Sequence, residues 1–272
     1  MTLPRYLEVE QIGERIGDSL NGNDPIFPSR ENIRRIGPIN TLREFKELGV
    51  QSLKVLLHST CLAPDSSVLD VGCGFGRLAI PLTRYLDSTG SYQGIDVMAD
   101  AITDCERRIC PGHPNFGFRH IDVHNGLYNP EASASADDAP FMYGAHRFDL
   151  VFMFSVFSHM QPPDVSAYLR ECLRVLKPGG MLFTTAFLLN DHARAAIEGG
   201  KTRRRFEHQR DGFFADDPQS PESAVAYEEA EMLERVASSG LELLHTLSGQ
   251  WANRRWALTG QDALLCRKPF VD

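Results

Sequence analysis

The stretch VLDVGCGFGRL, residues 68–78, places three glycines at alternate positions behind an acidic residue. Because glycine has no Cβ, Gly72, Gly74 and Gly76 allow the backbone to turn tightly and to come close to a ligand. If a strand precedes this turn and a helix follows it, the free N–H groups of the helix end point into the turn. The spacing therefore predicts a ligand site.

The acidic residue Asp70 separates two classes of ligand. A dinucleotide site has the spacing G-x-G-x-x-G and brings a pyrophosphate to the helix end. Here the spacing is G-x-G-x-G, and a carboxylate two residues ahead of the first glycine would repel a diphosphate. It suits a ligand with an ammonium or sulfonium group instead. S-adenosylmethionine (SAM) carries both groups and no phosphate, so SAM is the predicted ligand.

Two further acids end the next two predicted strands. Asp96 ends YQGID, and Asp122 ends FGFRHID. Asp96 follows the glycine turn at the separation where an acid accepts hydrogen bonds from ribose hydroxyls. Asp122 is placed to accept from an adenine amino group. For both residues the alternative is a solvated or capping carboxylate.

Short apolar runs alternate with amphipathic segments after residue 62. The predicted strands are 67–71, 92–97, 116–123, 148–154, 181–187, 241–247 and 263–267, and the predicted helices are 76–86, 99–109, 165–176 and 220–239. This alternation predicts an α/β fold with a parallel sheet and helices on both faces.

The remaining segments predict the domain organisation. Residues 1–29 read as an irregular arm and the next segment, up to residue 62, as helical, so 1–62 is expected to form an N-terminal arm and a small helical cap. Residues 63–272 are expected to form the SAM-binding domain. It would carry a lid-like insertion at 190–219, where the apolar residues follow neither the helical nor the strand periodicity. Its basic run at 201–210, KTRRRFEHQR, suits either an anion clamp or a solvated face.

Five motifs in order resemble those of class I SAM-dependent methyltransferases. They are VLDVGCGFG, YQGID, FRHIDV, FDLVFMFSVFSHM and LRVLKPGGMLF. The resemblance implies a Rossmann-like three-layer sandwich whose seven-stranded, mostly parallel sheet has an antiparallel last strand, a strand that GQDALLCRKP would supply. It implies SAM contacts at Asp70, Gly72, Gly74, Gly76, Asp96, Val97, Met98, Asp122, Val123, Phe154 and Ser155.

Two histidines are candidates for moving a proton from the acceptor. His159 lies where the fourth strand gives way to a loop, and a neutral imidazole there would accept the proton of an acceptor hydroxyl. The alternative is a histidine that only shapes the pocket. His208 lies in the lid-like insertion and would line the acceptor pocket. No metal is expected, because metal-dependent relatives carry acids where this chain has FMFSVF.

Charge and composition narrow the partners. The formal net charge is −8, which argues against a nucleic-acid partner. The polar N-terminus and the absence of a long apolar run predict a cytoplasmic protein without a membrane partner. The SVFSHM segment, Tyr128–Pro130 and the GQD at 260–262 resemble bacterial small-molecule and glycan-tailoring methyltransferases. The apolar residues of the cap and of 190–219 would equally suit a homodimer contact.

The favoured activity is transfer of a methyl group from SAM to a hydroxyl of a small or sugar-like acceptor, with release of S-adenosylhomocysteine. Three alternatives remain. The first is N-methylation of a small amine, and the second is a SAM-binding protein without catalysis that acts in regulation. An NAD-dependent oxidoreductase is the third, and the glycine spacing and Asp70 disfavour it.

Overall fold

The computed structural model describes residues 3–22, 24–37 and 39–270 and divides into two compact units, Met1–Ile121 and Asp122–Asp272. The predicted α/β class is confirmed, with parallel strands, intervening helices and antiparallel strands near the C-terminus. In the described ranges, no helix is both long enough and apolar enough to cross a membrane.

Three helices open the first unit, namely α1 (Leu3–Ser19), α2 (Arg30–Arg34) and α3 (Leu42–Ser59). The prediction of an irregular arm over residues 1–29 is therefore wrong where α1 forms. Residues 1, 2 and 23 of that segment lie outside the described residues. Val9 and Ile16, seven residues apart, are buried on one face of α1. Lys54 of α3 forms an ion pair with Glu10 of α1, so the first helix packs on the third.

The rest of the first unit alternates strands and helices. These elements are β1 (Ser67–Val71), α4 (Ala79–Leu82), β2 (Ser91–Asp96), α5 (Ala99–Ile109) and β3 (Phe116–His120). The strands lie parallel in the order β3–β2–β1, with Asp70 opposite Gly94. The helix predicted over 76–86 is shorter, because Gly76 has a left-handed φ of 82° and the last residues form i→i+3 turns such as Arg84 N to Pro81 O.

The second unit contains the remaining elements. They are β4 (Phe148–Met153), α6 (Pro162–Val175), β5 (Leu176–Leu189), α7 (Asp191–Glu198), β6 (His208–Arg210), β7 (Phe213–Ala215), β8 (Val225–Glu228), α8 (Glu229–Ser238), β9 (Glu242–Leu247) and β10 (Asp262–Arg267). The long strand β5 is the common partner, since it pairs in parallel with β4 and β8 and antiparallel with β10. The predicted antiparallel last strand is thus confirmed.

Two predictions for this unit are corrected. The helix predicted over 220–239 begins only at Glu229, because Val225–Glu228 forms β8 against the end of β5. Val225, Ala226 and Tyr227 are fully buried, so tertiary pairing overrides the local helix-start signal. The insertion 190–219, expected to lack regular structure, contains α7 and the hairpin β6–β7. The strands β6–β8 are added to the seven that the resemblance implied.

A buried lysine holds the end of α6. Lys268 is 8% exposed, and its Nζ donates to the carbonyl oxygens of Leu173 at 2.7 Å and Leu176 at 2.9 Å. A cation at a helix C-terminus is favourable because the last carbonyls carry partial negative charge. Lys177, in contrast, pairs with Asp149 at 2.8 Å where both side chains are 42% exposed.

We expect Lys268→Met to lower the free energy of unfolding by roughly 2–4 kcal/mol, because it leaves buried carbonyl oxygens without a charged donor. Lys177→Met, the matched control on an exposed pair, should change it by less than about 1 kcal/mol. Urea denaturation of both variants measures the difference. Equal losses in the two variants would show that Lys268 does not act as a cap.

Candidate functional site

The glycine turn after β1 has the backbone that its sequence predicted. Gly72, Gly74 and Gly76 all have left-handed φ angles, 78°, 52° and 82°. The N–H groups of Gly72 and Cys73 both donate to the Ile95 carbonyl, at 2.8 and 3.1 Å, which holds the turn against the end of β2. L-residues with a Cβ rarely adopt these angles, so the turn depends on its glycines.

The glycines serve different purposes. A Cβ at Gly76 would lie 3.0 Å from Ile109 Cδ1 and 3.2 Å from Cys105 Sγ, so this glycine lets α5 pack closely. Gly72 is exposed, which leaves its backbone open to a ligand. Cys73 between them is buried, and burial raises the pKa of its thiol well above the ordinary value. A protonated thiol is a poor nucleophile, so the prediction of a structural role for Cys73 agrees with its surroundings.

Asp96 joins the turn to the end of β2. Its Oδ2 accepts the Gly74 N–H at 2.6 Å, and its Oδ1 accepts the Met98 N–H at 2.9 Å. Burial raises the pKa of this carboxyl, and the N–H donors oppose that rise. The N–H groups of Gly74, Met98 and Val97 occupy part of the roughly four lone-pair sites of the carboxylate, so it can still accept from a hydroxyl donor such as that of a ribose. Asp96 is thus a capping residue that keeps the capacity for the predicted contact.

Asp70 is a buried carboxyl whose charge interacts with that of Arg77. It is 4% exposed and accepts the Tyr92 hydroxyl at 2.7 Å. Burial raises its pKa from 3.8 to about 7, although Tyr92 and Arg77 oppose the rise. The stability that its protonated form contributes is complete below pH 3.8 and is lost as the pH rises through about 7. A cationic ligand would stabilise the ionised form, which fits the ammonium or sulfonium group of SAM.

Val97 and Met98 follow Asp96, as the resemblance requires. Met98 is the N-cap residue of α5 and is 8% exposed, whereas Val97 is half-buried. The Val97 carbonyl accepts a hydrogen bond from His120 Nε2 at 3.1 Å, which fixes the backbone beside the two side chains. Their predicted packing against adenine stays a prediction.

Asp122 and Val123 lie at the start of the second unit. Asp122 is exposed, and its Oδ1 accepts from Asn129 Nδ2 at 3.1 Å. The same amide donates to the Val123 carbonyl at 3.1 Å. Asn129, which the sequence presented only as part of the YNP segment, therefore positions both predicted residues. Their contacts with adenine remain predictions.

Phe154 and Ser155 directly follow β4. The Phe154 ring lies 5.2 Å from the Phe183 ring. Ser155 is exposed and has a left-handed φ of 60°, which is unusual for a residue with a Cβ. Its N–H donates to Thr185 Oγ1 at 2.8 Å, and that hydroxyl donates to Gln261 Oε1 at 2.7 Å. The GQD segment thus supports Ser155, a link that no local sequence signal indicated.

His159 lies in a short 3-10 turn after β4 and is tied to a distant segment. Its Nδ1 lies 2.8 Å from the Glu222 carbonyl oxygen. Its ring packs edge-to-face with that of Tyr128, and the two ring centroids lie 5.3 Å apart. A carbonyl only accepts, so Nδ1 carries the proton and Nε2 keeps a lone pair. Burial lowers the pKa of His159, Arg204 lowers it further, and Glu222 opposes both. The ring is therefore neutral near pH 7.

His208 lies on β6, opposite Ala215 of β7. The basic run around it is folded, since Arg204 pairs with Asp216 at 2.9 Å. Phe206 is buried with a left-handed φ of 51° and packs 5.0 Å from the Phe187 ring. The predicted role of His208 in lining an acceptor pocket stays a prediction.

Tyr227 of β8 supports the short turn after β4. Its side chain is fully buried, and its hydroxyl donates to the carbonyl oxygens of Phe157 at 2.8 Å and Met160 at 2.6 Å. The tyrosine therefore holds the 3-10 turn that carries His159. Over the ranges that the structure describes, no three His, Cys, Asp or Glu side chains are grouped to hold a metal ion.

Comparison with known proteins shows a similarity between part of this chain and methyltransferases. Residues 68–180 match the model of a methyltransferase domain. An arsenite methyltransferase of Aquipseudomonas alcaligenes is 29% identical over 47% of this chain and 34% of its own length. A fatty-acid O-methyltransferase of Mycolicibacterium smegmatis is 34% identical over 53% of this chain and 47% of its own. The chain thus spans less than half of either relative.

A solved structure agrees on the fold. The crystal structure of a SAM-dependent methyltransferase from Methanosarcina mazei aligns with a TM-score of 0.54 and 20% identity, over 80% of this chain and 98% of that one. The glycine turn, the acid that ends β2 and the whole of strands β2, β3 and β4 lie within residues 68–180, the range that matches the methyltransferase model. Residues 68–180 of this chain therefore match a methyltransferase domain, and the fold is similar to that of a solved SAM-dependent methyltransferase.

Proposed function

We propose that this protein transfers a methyl group from SAM to a hydroxyl of a small or sugar-like acceptor and releases S-adenosylhomocysteine. The observation that carries the choice of a hydroxyl is the state of His159, which is neutral with its proton on Nδ1. A hydroxyl nucleophile must lose a proton during transfer, whereas a neutral amine needs no base to attack. The N-methyl alternative leaves this histidine without a chemical role.

The cofactor side of the proposal rests on the first unit. When bound, SAM supplies a methyl group on a sulfonium, which is already a good leaving group. Asp70 would hold the cationic part of the cofactor, and Asp96 would accept from the ribose hydroxyls with its remaining lone pairs. The open backbone at Gly72 would allow close approach. None of these steps needs a covalent enzyme intermediate, which agrees with the inert Cys73.

The acceptor side rests on the second unit. His159 would take the acceptor proton on Nε2, and Ser155 would be a neighbour of the methyl group, as the resemblance implies. The names of the two curated relatives refer to acceptors as different as arsenite and a fatty acid. Support for an O-methyl acceptor comes from the fatty-acid enzyme and from the histidine, so an acceptor screen should begin with hydroxylated and sugar compounds.

Calorimetric titration with S-adenosylhomocysteine tests the cofactor site. We expect binding by the wild-type protein and no binding of NADH. Asp96→Ala should weaken binding at least tenfold, about 1.4 kcal/mol, because it removes the predicted ribose acceptor and frees the Gly74 N–H. Asp87→Asn, at an exposed turn of the same unit, should bind like wild type. A folded wild-type protein that binds no homocysteine cofactor would refute the site.

Proton release on binding tests Asp70. At about pH 6 the ligand ammonium is already protonated, while the pKa of Asp70 near 7 keeps most of that carboxyl neutral. Binding of SAM should therefore release up to about one proton, and SAM affinity should rise as the pH approaches 7.5. Titrations in two buffers with different ionisation enthalpies measure the release. Asp70→Asn keeps an acceptor for the Tyr92 hydroxyl and should abolish the proton release. If protons are still released when this variant binds SAM, they come from a group other than Asp70.

The pH profile of methyl transfer tests His159. Because its pKa is lowered from 6.5, the acid limb of kcat/KM should have its midpoint below 6.5, with activity lost as the pH falls through it. His159→Ala should reduce kcat by about a hundredfold or more and remove that limb. His245→Ala, an exposed histidine of β9, is the control. An unchanged profile in His159→Ala would leave the histidine a structural residue and favour N-methylation.

A further inference from the structure

We propose that Asn125, Tyr128 and Glu222 form a clasp that sets the ring orientation of His159 and keeps its proton on Nδ1. We call these three residues the histidine clasp. They are positioning residues, since each acts through His159. The chemical consequence rests on the proposed function, whereas the clasp itself is a property of the second unit and is measurable without any acceptor.

Glu222 fixes the tautomer. Its backbone carbonyl receives the His159 Nδ1 hydrogen bond at 2.8 Å. A carbonyl oxygen has no proton to give, so this contact requires a protonated Nδ1 in the neutral ring. Nε2 makes no hydrogen bond to any residue in the described part of the chain, so its lone pair is left for a proton from elsewhere. The clasp thus decides which nitrogen is basic.

The side chain of Glu222 holds its own carbonyl in place. One carboxylate oxygen accepts the Gly126 N–H, and the other accepts from Gln161 Nε2 at 3.1 Å. These two contacts tie the turn at residues 221–223 to the loop before β4 and to the start of α6. A Cβ at Gly126 would lie 3.0 Å from Glu222 Oε2, so the glycine leaves room for the carboxylate.

Asn125 holds the main chain of His159. Its Nδ2 donates to the His159 carbonyl at 2.8 Å. Its Oδ1 accepts the N–H groups of Leu127 and Tyr128, at 3.1 and 2.9 Å, which bends the loop back on itself. The bend brings the Tyr128 ring edge-on to the imidazole, with an interplanar angle of 86°. The backbone and the ring plane of His159 are therefore fixed by one short loop.

The clasp gives a further role to two segments that the sequence analysis singled out. The Tyr128–Pro130 segment and the Ser-Pro-Glu at 220–222 are far apart in the chain, and both converge on His159. The charged groups that shift the pKa of His159 are Arg204, which lowers it, and Glu222, which raises it. Two segments thus hold one histidine, through a hydrogen bond to its ring, a hydrogen bond to its main-chain carbonyl and an edge-on ring contact.

Nitrogen NMR of the imidazole tests the clasp directly. In protein labelled with ¹⁵N-histidine and saturated with S-adenosylhomocysteine or left free, at a pH where the ring is neutral, His159 should show a protonated Nδ1 and an unprotonated Nε2. Glu222→Ala should shift the ring toward a mixture of tautomers. Gly126→Ala, which presses on the same carboxylate, should do so to a smaller extent, and Glu242→Ala, at an exposed ion pair of β9, should leave the signals unchanged.

Turnover supplies the second readout. In Glu222→Ala, kcat should fall about fivefold, in proportion to the remaining Nδ1-protonated fraction, while KM for SAM stays within about twofold. Glu222→Gln keeps one side-chain acceptor. It should restore part of the Nδ1-protonated fraction of His159 and part of kcat. A wild-type His159 protonated on Nε2, or a tautomer that Glu222→Ala leaves unchanged, would overturn the clasp. Failure to bind S-adenosylhomocysteine would instead refute the proposed function, because the NMR result in the free protein stands apart from it.

Discussion

The cofactor side of the first unit depends on one buried carboxylate. Asp96 receives the N–H groups of Gly74 and Met98 on its two oxygens, so it connects the glycine turn to the start of α5. A turn built from left-handed residues has little intrinsic preference for one conformation, because glycine loses more conformational freedom on folding than other residues. The carboxylate selects one of those conformations. The backbone is then held in place before any ligand is bound, which lowers the entropy cost of binding.

A second buried carboxylate performs a comparable task in the second unit. Asp262 accepts the Trp251 indole N–H at 2.6 Å and the Leu188 N–H at 3.0 Å on one oxygen, and the Gly249 N–H at 2.8 Å on the other. Gly249 and Trp251 lie in the loop between β9 and β10, and Leu188 lies near the end of β5, so one side chain fixes that loop against β5. Both carboxylates are stable when buried because several N–H donors replace water.

The sequence predicted the parts of the site whose signal is local. Three alternate glycines and an acid at the end of a strand carry their meaning within ten residues, and the structure has the turn at the predicted place. Partners that are distant in the chain could not be found this way. Nothing near His159 indicates that Glu222 will meet it, and nothing near Ser155 indicates Gln261. The error at 220–239 has the same origin, since Val225–Glu228 is a strand only because the end of β5 is available to pair with it.

The basic run at 201–210 carries less free positive charge than its sequence suggests, because acidic side chains pair with some of its arginines. Arg204 is paired with Asp216, and Arg205 is paired with Glu207. Arg210 donates to the Pro218 carbonyl, so its guanidinium helps to close the loop after β7. Asp216 also accepts the Arg205 N–H, so it organises the backbone of the run as well as offsetting its charge. An anion would have to compete with acids of the same hairpin for these arginines.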